Sequence, residues 1–526
     1  MTYLPRPTRA RALAFRFPLF AALALALGLA AAPASAEPGA PRWHLFQHER
    51  VLGTSLELKF DAPTPVLAAA AESAALAEID RLAKILSGYD ATSEFRAWFA
   101  TRDEPVRVSP ELFEVLALFD TWRARTAGAL DPAAEIAGRL WQEAARAQQL
   151  PTPAQLAAAA AAARQTHWRL DPVARTATHL TTAPLLLNSF AKSYILDRAA
   201  TAALAAGQLR TAVVNLGGDL VVRGASAETI ALADPLADAE NDLPLAAISA
   251  RDRAVATSGG YRRGVEIGGR WFSHLVDPRT AQPVAHVRSA TVVAAHATDA
   301  GALATALCVL PEEEGLALVA TAPGAECLLV LSDGRRATSP GWSSLAAPIL
   351  PQLHAAVAPI SPAGEGAAAL WDAADELVVS FEIAAQGGGR YKRPFVAAWI
   401  EDKDGFPLRT VGLWYHGDRW LPDLRAWTRA DRVRTMAEGN AIAHSISSAT
   451  RSPGKYTLKW DGKDAAGQPV PRGKYTVFFE IAREHGTHQL LRREIDFAAG
   501  PQHIDFPANA ELAALAFDFR RKGETR

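Results

Sequence analysis

Cysteine is nearly absent from this 526-residue chain, with Cys308 and Cys327 as its only two. Two cysteines cannot build a disulfide scaffold, and their apolar settings, "TALCVL" and "AECLLVL", predict small buried side chains, with a disulfide between them left open. An excess of either charge is also missing, since 56 acidic residues face 55 basic ones. That balance offers no basic field for nucleic acid, and no stretch reads as a basic amphipathic helix for a membrane surface. Long apolar runs are lacking everywhere but at the N-terminus. There Arg6, Arg9 and Arg11 precede "FPLFAALALALGLAAA", and "ASA" ends at Ala36. This is the charged, apolar, small-x-small order of a secretory signal peptide, so residues 1–36 are predicted to be removed and the mature protein to reside in a bacterial-type periplasm. An uncleaved anchor is the alternative. No cysteine stands at the cleavage point, which argues against a lipid anchor.

What is present suits packed domains: the hydrophobic share is 49% and there are 13 tryptophans. The length predicts two or three domains. Helical and strand-like patterns alternate up to about residue 350. Residues 67–86 and 152–165 read as helices, "TAVVNLGGDLVVRG" (211–224) as two strands hinged on a glycine pair, and 286–295 as a strand with a helix directly behind it. Residues 351–370 are rich in Ala, Pro and Gly without a period, the composition of a linker. Beyond them come short strands separated by turn clusters, the spacing of an immunoglobulin-like β-sandwich. The expected division is therefore an α+β domain over 43–350, a linker over 351–370 and an all-β sandwich over 371–526. In the sandwich Trp399, Trp414, Trp420 and Trp427 read as core, and Asp461 and Asp464 as turn formers before cation ligands.

The run "HLVDPRTAQPV" (274–284) concentrates chemistry on one short stretch. Asp-Pro followed by a small polar residue is ordinary turn chemistry, so His274, Asp277 and Arg279 need a wider context. "LGTSLEL" (52–58), "LSGYDATSEF" (86–95), "AGALDPA" (127–133), "VVNLGGDL" (213–220) and "ATSGGYRRG…RWFSHLVDPRTAQPV" (256–284) supply it. Taken in order, with "AKSYILDRA" (191–199) and "ALATAL" (302–307), they resemble the motifs of the FAD:protein FMN transferases, the ApbE-like flavin transferases, over about residues 45–345. C-terminal to that, "WDGKDAAGQPVPRGKY" resembles a hairpin of the immunoglobulin-like domain in flagellar hook-cap proteins, and the larger stretch an uncharacterised domain often fused behind a flavin transferase.

The resemblance implies transfer of FMN from FAD, through a phosphoester, to a threonine of a partner protein, with release of AMP. It implies FAD as substrate, magnesium as metal, and an acceptor protein that the family and compartment suggest is a membrane-bound redox protein. A flavin-binding or flavin-delivering protein without transfer chemistry and an FAD pyrophosphatase stand as alternatives. Implied flavin-side positions are Tyr89 and Glu94; implied phosphate-side positions are Lys192, Gly217, Gly218, Asp219, Ser258, Gly259 and Arg279. His274 and Asp277 are the implied catalytic pair, with His274 contacting phosphate or relaying the threonine proton. The Ala191 carbonyl and Thr305 are the implied metal ligands.

The chain also departs from that pattern. The usual D-x-G-G-x-A-K-G is here "LLNSFAKS", with Leu186 for the acid and Asn188, Ser189 and Ser193 for the glycines. The usual A-D-A-L-A-T is "AGALAT", so Gly301 replaces the acid expected to share magnesium with Thr305 one helical turn on. Asp299 lies on another helical face and His296 is a poor ligand for a hard cation. Gly260 likewise stands where an acid is usual. Magnesium binding is expected to be weakened, and Gly301→Asp to strengthen it.

Overall fold

Strand Thr54–Asp61, "TSLELKFD", alternates small or charged residues with Leu56, Leu58 and Phe60, and those three are buried. Period-two patterning of this kind places one face on a core. The computed structural model describes residues 42–261, 263–349, 369–385, 393–415, 418–438, 447–448, 450–451, 453–484 and 486–524. The predicted signal peptide and most of the predicted linker lie outside these residues.

An eight-stranded antiparallel sheet forms the centre of the first half. Its order is Trp43–Val51, Thr54–Asp61, Thr211–Leu216, Asp219–Gly224, Arg253–Gly259, Val287–Ala294, Glu326–Leu331 and Arg336–Thr338. Helices Pro65–Leu86, Asn188–Gly207 and Ala297–Val309 cover one face and share a core with Leu58, Val214, Val221 and Val292. The other face carries Val213, Leu220, Val222 and Val255, packed on Ile248 and Trp342 of the small sheet side. Successive residues of Asp219–Gly224 thus serve opposite cores, which is why "DLVV" is apolar without alternation.

Local signals set the helix starts. Thr64 caps Pro65–Leu86 by accepting the Leu67 N–H at 3.3 Å, with Pro65 at the first turn. Thr152 and Gln155 close a capping box on Pro153–Ala163. Helix Ala297–Val309 is apolar on nearly every side; between Ala300 and Val309 only Thr305 is part-exposed.

The second half is a β-sandwich of a four-stranded and a five-stranded sheet, with Trp371, Phe381, Trp460, Phe479, Phe497 and Phe519 between them. The expectation of an all-β unit needs one amendment, because helix Arg425–Glu438 packs on the outer face of the five-stranded sheet. Trp399 and Trp427 are buried there, Trp399 stacking on Phe478 at 4.7 Å, while Trp414 lies in the inter-sheet core. Asp464 accepts the Gln468 N–H at 2.8 Å and Asp461 pairs with Lys463 at 2.7 Å, so both serve their turn.

A loop of the first half reaches strand Gly454–Trp460, an edge of the four-stranded sheet. Glu240 donates its N–H to the Thr457 carbonyl at 2.8 Å. The Asn241 amide donates to the carbonyls of Lys459 at 2.7 Å and Val411 at 3.2 Å, and accepts the Lys459 N–H at 2.9 Å. Among the described residues no helix is long and apolar enough to cross a membrane.

Candidate active site

Two glycines in succession let the central sheet turn within two residues. Leu216 pairs with Asp219, and Gly217 and Gly218 have φ of +67° and +105°, the left-handed conformations such a hairpin requires. Gly217 has a second constraint, since a Cβ there would lie 2.5 Å from Thr54 Oγ1. Asn215 Oδ1 accepts the Gly218 N–H at 3.1 Å. The turn delivers Asp219 beside the start of helix Asn188–Gly207.

Around Asp219 the charges gather. Its Oδ1 accepts the Thr257 N–H at 3.3 Å, and Lys192 and Arg263 both act on it electrostatically. Burial pushes the Asp219 carboxyl up to about 6, against the pull of that N–H and the two cations. Lys192 is half-buried, and desolvation together with Arg263 lowers its pKa from the usual lysine value. Neither Lys192 nor Arg263 forms an ion pair with a described residue. Arg263 was not among the residues singled out in the sequence; its only signal there was a doublet of arginines inside "GGYRRG".

His274 is pinned by the same residue. Its backbone N–H and its ring Nδ1 each meet the Arg263 carbonyl at 3.1 Å. A carbonyl only accepts, so Nδ1 carries the proton and Nε2 keeps a lone pair, on a residue that is exposed. Desolvation by its surroundings lowers the ring's pKa, partly opposed by the Arg263 carbonyl, which keeps the imidazole neutral at neutral pH.

The rest of "HLVDPRTAQPV" is a scaffold. Asp277 accepts the N–H groups of Thr280 at 3.1 Å and Ala281 at 2.7 Å on its carbonyl. Its carboxylate takes the Arg279 guanidinium in a fork, with Nε and Nη2 each at 2.9 Å. Trp141 Nε1 holds the Ala281 carbonyl at 2.8 Å. Asp277 and Arg279 therefore spend their charges on each other and fix the loop that carries His274. For Arg279 this is the second of two roles its sequence setting offers, a phosphate contact or a salt bridge that fixes the loop.

Tyr89 is 78% exposed and its hydroxyl accepts the Asn188 amide at 2.9 Å, so a flat aromatic face stands free at the head of helix Asn188–Gly207. Glu94, implied on the flavin side, directs Oε1 to the Ser109 N–H at 2.6 Å and secures the start of helix Pro110–Arg125. Asp131 of "AGALDPA" pairs with Arg123 at 2.7 Å, and Pro132 accepts the Leu186 N–H at 3.1 Å, bracing the approach to Asn188. At the end of strand Arg253–Gly259, Ser258 Oγ lies 3.4 Å from Thr305 Oγ1, and Gly259 stays small because a Cβ would meet the Arg288 carbonyl at 2.6 Å.

The implied magnesium does not fit this donor set. Ala191 and Thr305 contribute neutral oxygens, and the Ala191 carbonyl belongs to a helical ladder. Gly301 offers no carboxylate, and Asp299 lines a separate cavity with Arg125 and Thr321. Gly260 has no room for an acid either, since a Cβ would come within 2.2 Å of Ser273 Oγ. Among the described residues no cluster of three His, Cys, Asp or Glu side chains can hold a metal. A hard divalent cation favours charged oxygen ligands, and neither Ala191, Thr305 nor Gly301 supplies one.

A histidine held in one tautomer, two cations without an ion pair to a described residue and an exposed aromatic ring are a set that suits a phosphate ester with an aromatic headgroup. The chain belongs to the ApbE family, whose pattern residues 52–329 match. Residues 376–514 match a second family, described as "Predicted periplasmic protein (DUF2271)". The FAD:protein FMN transferase of Treponema pallidum is 31% identical over 319 residues, 56% of this chain and 86% of that one. The FAD:protein FMN transferase of Klebsiella pneumoniae is 30% identical over 250 residues, 46% of this chain and 70% of that one. The crystal structure of an ApbE protein from Thermotoga maritima superposes with a TM-score of 0.52 at 25% identity, covering 58% of this chain and all of the other. The apo flavinyl transferase ApbE of Pseudomonas stutzeri gives 0.50 at 25%, covering 59% of this chain and 98% of that one.

Proposed function

We propose that this protein is an FAD:protein FMN transferase of the periplasm, moving FMN from FAD to a threonine of an acceptor protein. In the reaction the threonine Oγ bonds to the FMN phosphorus, the anhydride bond to the AMP phosphate breaks, and AMP leaves. His274 Nε2 takes the threonine proton. Lys192 and Arg263 meet the negative charge of the diphosphate, and Tyr89 stacks on a flavin or adenine ring. The backbone at Gly217, Gly218 and Ser258 borders the phosphates.

The observation that carries the reading is the tautomer of His274, an exposed residue whose ring Nδ1 donates to the Arg263 carbonyl and so leaves Nε2 unprotonated. A base so held suits abstraction from an incoming hydroxyl. The sandwich over 371–526 is read as a module that docks or positions the acceptor, and the periplasmic compartment agrees with the family that residues 376–514 resemble.

The mature protein should be incubated with FAD and a periplasmic extract, and AMP, FMN and protein-bound flavin measured. AMP with a flavinylated protein supports the transferase. AMP with free FMN would make it a pyrophosphatase, and intact bound FAD a carrier. His274→Ala should lower AMP release by about a hundredfold or more while FAD binding persists. An unchanged rate removes the proposed base.

A further inference from the structure

Gly301 lies on the face of helix Ala297–Val309 that meets helix Asn188–Gly207. A Cβ at 301 would lie 2.6 Å from Ser193 Oγ and 3.6 Å from both Ser193 Cβ and the Ser189 carbonyl. Real side chains do not approach that closely, and both residues are buried, Ser193 at 3% exposure. The seryl hydroxyl occupies the place next to that Cβ, so a side chain at 301 requires Ser193 to turn its hydroxyl away or give it up. The two departures of this sequence, Ser193 and Gly301, are therefore one interlocking exchange between neighbouring helices. On the open side of the contact stand the hydroxyls of Thr305 and Ser258, both neutral. The positive charge is provided by Lys192 and Arg263, neither of which is paired with a described carboxylate, across from Asp219.

We propose that this site takes the FAD diphosphate directly on Lys192 and Arg263, with no divalent cation between protein and phosphate, Ser193 filling the place that a cation-binding carboxylate at 301 would need. The inference rests on the flavin reading above. A diphosphate diester carries two negative charges at neutral pH and the two side chains carry two positive ones, so the charges balance once Asp219 beside them takes up a proton, as its raised pKa favours. Lys192 is half-buried and Arg263 exposed, and charge-assisted contacts from two such cations can do this without a bridging ion.

The test is titration of the full mature chain with FAD and with riboflavin, followed by flavin fluorescence, in EDTA and in magnesium chloride. FAD affinity should be the same in both to within about twofold. Lys192→Met and Arg263→Met should each weaken FAD about tenfold, the loss of one charge-assisted contact, and leave riboflavin unchanged, which also reports that the variants fold. The pair Ser193→Gly with Gly301→Asp should make FAD binding magnesium-stimulated, whereas Gly301→Asp alone should not. FAD binding that EDTA abolishes in the unaltered chain overturns the inference and leaves the flavin reading standing. So does magnesium stimulation in Gly301→Asp alone, since Ser193 would then be no obstacle. Should the paired variant fail to fold, the EDTA comparison decides by itself. If FAD binds in neither condition, the flavin reading falls and this inference with it.

Discussion

Asp219, a half-buried residue whose carboxyl is desolvated, shows how one group can make a binding site sensitive to acidity. Its folded-state pKa, pushed up to about 6, lies above the unfolded value, so the folded chain holds this proton more tightly. Ionised Asp219 costs stability above pH about 6, and that cost fades as the pH falls toward about 4. A diphosphate placed beside it raises the pKa further, so binding takes up a proton. FAD affinity should therefore fall as the pH rises above about 6, and Asp219→Asn should flatten that part of the profile, with titrations by flavin fluorescence as the check. Any slope that survives on the acid side belongs to His274, whose depressed pKa confines its charge to lower pH. The cysteines give a second residue-scale expectation. Both are unpaired and buried, and burial pushes Cys308 up to about 12 and Cys327 up to about 11. Neither should be alkylated in the native protein, and both should react once urea unfolds it.

At the scale of elements, hairpin Thr211–Gly224 carries two separable demands at one position. Gly217→Ala meets both the positive φ and the collision with Thr54, and should cost about 1–3 kcal/mol, read as a lowered urea midpoint. Adding Thr54→Ala should recover only the collision part. This hairpin was legible in the sequence because a glycine pair between two apolar runs is a local signal. The helices over 67–86 and 152–165 were legible likewise, the second through propensity alone, and emerged as Pro65–Leu86 and Pro153–Ala163. Helix Arg425–Glu438 was not. Its start is secured from another element, by buried Glu480 accepting the N–H groups of Ala426 at 3.0 Å and Trp427 at 2.8 Å, and its buried apolar stripe is little more than Trp427 and Ala430. The candidate site divides the same way. His274 stood out by type and setting, but the service of Arg263 to it and the contact of Ser193 with Gly301 join residues that only the folded chain brings together.

For the whole molecule, the joint between the α+β half and the sandwich turns on Asn241, whose amide extends an edge strand as a further strand would. Exposed hydrogen bonds of this kind contribute on the order of 1 kcal/mol or less each, so Asn241→Ala should leave the melting temperature nearly unchanged. It should speed hydrogen exchange at the Lys459 amide, and unaltered protection there would mean the joint does not form in solution. The three bonds made by Asn241 end on main-chain atoms of Val411 and Lys459, while the carboxylates beside it meet side chains, Glu240 the Arg451 guanidinium at 3.4 Å and Asp238 the Lys459 ammonium at 3.8 Å. The Asn241 part of the attachment reads strand shape and ignores side-chain identity. The side chains of strand Gly454–Trp460 could thus be rewritten by drift or by design, or another sandwich with a free edge set in its place, and the grip of Asn241 would carry over.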